Sequence, residues 1–167
     1  MELPLMRTRA ALALAEETEA ARRDLYALLP RFPAADLATG NVETEDNVRG
    51  ILCHVTASFY SYSCWMRRVR GRLDPAVEQE QKRAFLERVR SLTSPQDFEA
   101  ASRWASVHYY ETLADVAKDE LEQEYKSNWG ETISIELMME HALVHFLRHR
   151  RQLQIFLGDR PQRPTRD

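Results

Sequence analysis

The sequence predicts an all-α fold, a four-helix bundle with one extra short helix and a disordered C-terminal tail. Three observations predict it. The 167 residues include only five glycines, and the β-branched clusters that would mark strands are missing. Apolar residues follow helical spacing along four long stretches. Proline, glycine and small capping residues punctuate the chain between them.

The first helix is expected over about Leu5 to Leu29, with Leu14, Thr18, Ala21, Leu25 and Leu28 on one stripe. Pro30 and Pro33 end it, and Asp36 to Asn41 carries turn chemistry. Thr44 or Asp46 can cap the second helix, which runs through Ile51, His54, Val55, Ser58, Tyr62, Trp65 and Met66 to about Val69. After Gly71 and Asp74-Pro75 comes a shorter, more polar helix, about Ala76 to Leu92, at the bundle's edge. Ser94-Pro95 is a cap followed by proline at the first helical position, opening a helix to about Lys118. Residues 119–132 are polar and suit a short extended pair around Asn128-Trp129-Gly130. The last helix starts near Thr132 or Ser134 and stops at Leu157-Gly158. Residues 1–158 then read as one domain and 159–167, with Pro161 and Pro164, as a flexible tail.

Composition narrows function. A net charge of −3 gives no general attraction for nucleic acid. No apolar run approaches the ~20 residues that cross a bilayer. The run Ala10-Ala-Leu-Ala-Leu-Ala15 is closed by Glu16 and Glu17, so it reads as helix and not as a signal peptide. Cys53 and Cys64 are separated by about 16 Å of helical rise, too far for a disulfide. Reduced thiols and a cytoplasmic location are the expectation.

The chemistry concentrates in His141-Ala-Leu-Val-His145-Phe-Leu-Arg-His149, which holds three of the five histidines. A four-residue step brings two imidazoles nearly above one another, a spacing that lets both bind one metal ion. The outer pair, His141 and His149, are roughly 12 Å apart along the axis, so one ion cannot take all three. Either His141 and His145 or His145 and His149 chelate, and spacing alone leaves both open. His54, on the apolar face of the second helix, is the best candidate for a third ligand. His108 is a lesser candidate, because Tyr109 and Tyr110 make an ordinary amphipathic helix there. Glu111 and His141 are candidates for proton handling. Arg148, Arg150 and Arg151 complement the end of the last helix. The cysteines read as buried, inert thiols.

Three segments resemble the DinB/YfiT-like superfamily of metal-binding four-helix bundles. Thr44-Glu-Asp-Asn-Val-Arg-Gly-Ile-Leu-Cys-His54 is similar to the start of that family's second helix, with its single histidine. Trp129-Gly-Glu-Thr-Ile-Ser-Ile-Glu-Leu-Met-Met-Glu-His141 is similar to the approach to its last helix. His145-Phe-Leu-Arg-His149-Arg-Arg-Gln-Leu153 is close to the usual His-x-x-x-His-Arg-Gly-Gln pattern, with Arg151 where glycine is common. The likeness spans about residues 5–158. It implies that His54, His145 and His149 hold a divalent transition metal, zinc or nickel, leaving His141 one turn away. It further implies a small-molecule substrate, with a low-molecular-weight thiol as one reactant, and a homodimer. Three imidazoles with open positions suit a metal-dependent S-transferase or hydrolase. The alternative is a non-catalytic bundle that binds metal or a small ligand.

Overall fold

A computed structural model describes residues 2–127 and 129–158; the tail expected over 159–167 lies outside them. Helix α1 spans Arg9–Tyr26, and a single 3-10 turn, Leu29–Arg31, precedes the short α2, Ala34–Ala38. Then come α3 (Val48–Val69), α4 (Pro75–Arg90), α5 (Pro95–Ala114) and the one-turn α6 (Lys118–Leu121). Strands β1 (Glu124–Lys126) and β2 (Thr132–Ser134) lead into α7 (Ile135–Phe156). The all-α architecture is as expected, with α4 as the extra helix. Two further short helices, α2 and α6, lie in segments expected to be irregular, and α5 stops at Ala114, four residues before Lys118.

The long helices α1, α3, α5 and α7 form the bundle. Both α1 and α3 pack on α5 and on α7, so the ring runs α1–α7–α3–α5. The segments 27–47 and 115–134 therefore join helices that are not neighbours and must cross an end of the bundle. That is why they are long and hold the small elements. Helix α4 leans on α3, with Phe85 and Val89 buried beneath it. The core is aromatic where α3, α5 and α7 meet: the Phe59 ring lies 4.3 Å from Tyr109 and 4.8 Å from Phe146, centroid to centroid. Phe146 follows His145 directly, so burying it fixes the rotation of α7 that turns His145 and His149 toward α3.

The helix ends follow cap chemistry. Ser94 accepts from the Asp97 N–H, and Ser134 from the Leu137 N–H, at the starts of α5 and α7. At α3 the cap is Asn47, which accepts from the Gly50 N–H at 2.9 Å, and not Thr44 or Asp46. Those two instead accept from the Asn47 side-chain amide, at 3.3 and 3.0 Å, and so hold the cap in place. The expected extended pair is present: β1 and β2 pair antiparallel with Tyr125 opposite Ile133, and the Trp65 indole donates to the Lys126 carbonyl at 2.9 Å.

One glycine matters for the site. A Cβ on Gly50 would stand 1.8 Å from the Thr44 carbonyl oxygen and 2.6 Å from that of Asn41. Only glycine lets the 41–47 loop lie this close to the first turn of α3. The same loop carries Glu45 to His54.

Candidate metal centre

Two helices build the cluster. His54 comes from α3, one turn beyond Gly50, and His145 and His149 come from successive turns of α7. The Nε2 atoms of His54 and His145 are 2.9 Å apart, those of His145 and His149 are 3.1 Å apart, and all three lie within 4.8 Å of one another. Bonds of ~2.0–2.1 Å place two ligand atoms ~2.9 Å apart at a right angle and ~3.3 Å apart at the tetrahedral angle. The spacing of these two pairs therefore suits neighbouring ligands of one small divalent ion, and the donor set suits a transition metal.

Burial keeps the rings neutral, as a metal ligand must be. His149 is fully buried and His145 is 8% exposed. Desolvation, reinforced by the neighbouring histidines, pulls His145 down to about 2. Desolvation likewise pulls His149 down to about 4, against the hydrogen bond to Gln152, which favours the charged form. His54, its side chain 39% exposed, is lowered mainly by desolvation, with the Glu45 carboxylate opposing.

These shifts fix the sign of a pH dependence. Unfolded histidine titrates near ~6.5, above the folded values, so the unfolded chain takes up protons first as pH falls. Their contribution is fully present above that value and is lost as pH drops toward the folded values. Metal-free protein should unfold at progressively lower denaturant concentration between pH 6.5 and 4, as followed by circular dichroism. A flat profile over that window would contradict the buried, neutral cluster.

Gln152 sets the orientation of one ligand. Its side-chain oxygen accepts from His149 Nδ1 at 2.5 Å. With the proton on Nδ1, the Nε2 lone pair faces the cluster. Gln152→Leu should weaken zinc affinity by about 10-fold or more, measured by competition with a chromogenic chelator; unchanged affinity would remove Gln152 from the account. On the exposed side, Glu45 lies 3.4 Å from His54 Nε2, 4.0 Å from His149 Nδ1 and 3.6 Å from the Arg148 guanidinium.

The other histidines lie elsewhere. His141 continues the ladder, its ring 5.8 Å from that of His145, but it stacks on Trp129 at 4.9 Å and meets Tyr62 edge-on at 5.5 Å. It borders the cluster without joining the convergent nitrogens. His108 packs against Trp104 at 4.2 Å, and Glu111, 4.0 Å from His108, lines a separate cleft with Arg67, Arg70 and Asp115. Cys53 and Cys64 are buried free thiols. Arg150 pairs with Asp24 at 2.7 Å, tying α7 to α1, and Arg151 is exposed.

Sequence reading gave no role to Glu45 or Gln152. Gln152 had a signal, three residues after His149 on the same helix. Glu45 had none, because its approach depends on the loop seated over Gly50.

A cleft of about 480 Å³ opens beside His54, between the 41–47 loop, α3 and α4. It falls within the ~300–1,000 Å³ typical of small-molecule sites. Ser58, Ser61 and Gln79 give it hydrogen-bonding groups, and Val42, Ala57 and Leu86 apolar surface. Among the described residues, no helix is long and apolar enough to cross a membrane.

The family model described as "DinB family" matches residues 6–159. No curated protein matches the chain.

Proposed function

From the premise that this chain belongs to the DinB family, we propose that His54, His145 and His149 hold a divalent transition metal, zinc or nickel, in a catalytic-type site. The single observation behind this reading is the convergence of three neutral imidazole nitrogens within 4.8 Å, from two helices, beside an open cleft. A closed structural site would use a fourth protein ligand, whereas three histidines leave room for solvent or substrate. When bound, the ion would act as a Lewis acid and lower the pKa of a water or thiol that reaches it.

The protein's own groups then divide the remaining work. Gln152 holds the His149 ring in the ligand tautomer. Glu45, beside His54, offers a carboxylate oxygen to accept the proton that an attacking nucleophile gives up. Arg148, 3.6 Å away, pairs with that carboxylate. Tyr62, edge-on to His145 at 5.7 Å, keeps bulk water from the inner face of the ligand pair. His141 remains a candidate for passing protons between the cluster and the Trp129 surface, while Glu111 is too differently placed to share that task.

The reaction proposed is transfer of a low-molecular-weight thiol to a small electrophile, or hydrolysis, carried out in the cytoplasm by a homodimer. It is tested by incubating zinc- and nickel-loaded protein with small thiols and a panel of electrophiles. Turnover that disappears with chelator and in Glu45→Gln is the expected result. Full metal occupancy without turnover on any electrophile would favour the non-catalytic alternative, a bundle that only binds metal or a small ligand.

A further inference from the structure

The cleft beside His54 has a charge imbalance on its α4 wall. Lys82, Arg83 and Arg90 line it, against two acids, Glu43 and Glu45. Arg90 is matched by Glu43 at 2.5 Å. Glu78, fully buried beneath this wall, serves both Arg68 and Lys82, so one carboxylate answers two cations. Arg83 makes no ion pair among the described residues and is exposed. Glu45 is already paired with Arg148, at 3.6 Å. The wall opposite the histidine is thus left with unanswered positive charge, in a concavity of about 480 Å³ that also offers Ser61 and Gln79. A concave, partly apolar wall strengthens a charge pair relative to open surface.

We infer that this cleft is an anion subsite: it takes a small organic molecule whose carboxylate pairs with Lys82 and Arg83 while its other end points to the histidine cluster. The direction of that other end rests on the metal reading above; the preference for a carboxylate does not. Neither Lys82 nor Arg83 would touch the reacting atoms, so their role is in affinity and orientation.

The test is an amide NMR titration of the full-length protein, zinc-loaded and chelator-treated, with γ-mercaptobutyrate and its uncharged amide. The carboxylate should shift signals of residues 42–45 and 79–90 at about 3- to 5-fold lower concentration than the amide, in both forms. Added salt should shrink that difference. Arg83→Gln, at an exposed site that leaves folding intact, should reduce the preference, and Lys82→Gln/Arg83→Gln should remove it without changing zinc content. Equal concentrations for the two probes, a preference that survives in the double variant, or shifts confined to other surfaces would overturn the subsite. A protein that takes up no zinc yet keeps the carboxylate preference would overturn the metal reading and uphold the subsite.

Discussion

His145→Ala is expected to lower divalent-metal affinity by at least about a hundredfold while leaving the helical circular dichroism signal unchanged. Tetrahedral zinc sites bind with ~10–16 kcal/mol, about 3 kcal/mol for each of four ligands, and that loss corresponds to roughly a hundredfold. His145 is the central donor, 2.9 Å from the His54 nitrogen and 3.1 Å from that of His149, so its removal leaves the other two without a bridge. The fold should tolerate the change. Alanine is the best helix former, so α7 should keep its backbone, although truncating a buried ring leaves a cavity beside His149. Metal-free His145→Ala should therefore unfold at a lower temperature than metal-free wild type, through the cavity it leaves, while the folded variant keeps its full helical signal. Retained metal stoichiometry and affinity would refute the assignment; loss of helicity would show that the cluster is structural first.

The largest stability effect is expected far from the cluster. On α1, Arg22 donates twice to Glu19, at 2.8 and 2.9 Å, and the Tyr110 hydroxyl donates to the same carboxylate at 3.3 Å. Both charged side chains are nearly inaccessible, 3% and 6% exposed, and Arg22 Nη1 makes no hydrogen bond. Removing one partner strands the other charge away from water, so Glu19→Ala should cost about 3–5 kcal/mol of stability. Replacing the pair together, as Glu19→Leu with Arg22→Met, should recover most of that loss. Denaturant unfolding of the two variants decides it. A single variant within about 1 kcal/mol of wild type would show the pair to be solvated in practice.

The buried pair illustrates what sequence patterning misses. The α1 stripe through Thr18, Ala21 and Leu25 was readable from spacing, since all three are buried. Nothing in the spacing marks Glu19 and Arg22 for burial, since charge is normally kept in water, and only the packing of α1 against α5, which brings Tyr110 to them, makes their burial tolerable. The cap of α3 is a similar case. Thr44, Asp46 and Asn47 are all competent caps, and the choice of Asn47 follows from a loop whose path depends on the missing side chain of Gly50.

The cluster itself divides along the same line. The His145–His149 step is a local property of one helix, and spacing alone could not prefer it over His141–His145. In the fold, the choice reflects where α3 crosses α7: His54 meets the second step, while Trp129, from the segment after β1, covers His141. Gln152 lies on the same helix and was within reach of a spacing argument. Glu45 was not, because loop and helix meet through tertiary contacts that no periodicity encodes.

The central claim is that His54, His145 and His149 together hold one metal ion. Elemental analysis of protein purified without a histidine tag tests it most directly. One equivalent of zinc or nickel per chain, absent from His145→Ala prepared in parallel, is the predicted result. No stoichiometric metal in the wild type after incubation with zinc or nickel, or an equal content in the variant, would contradict it.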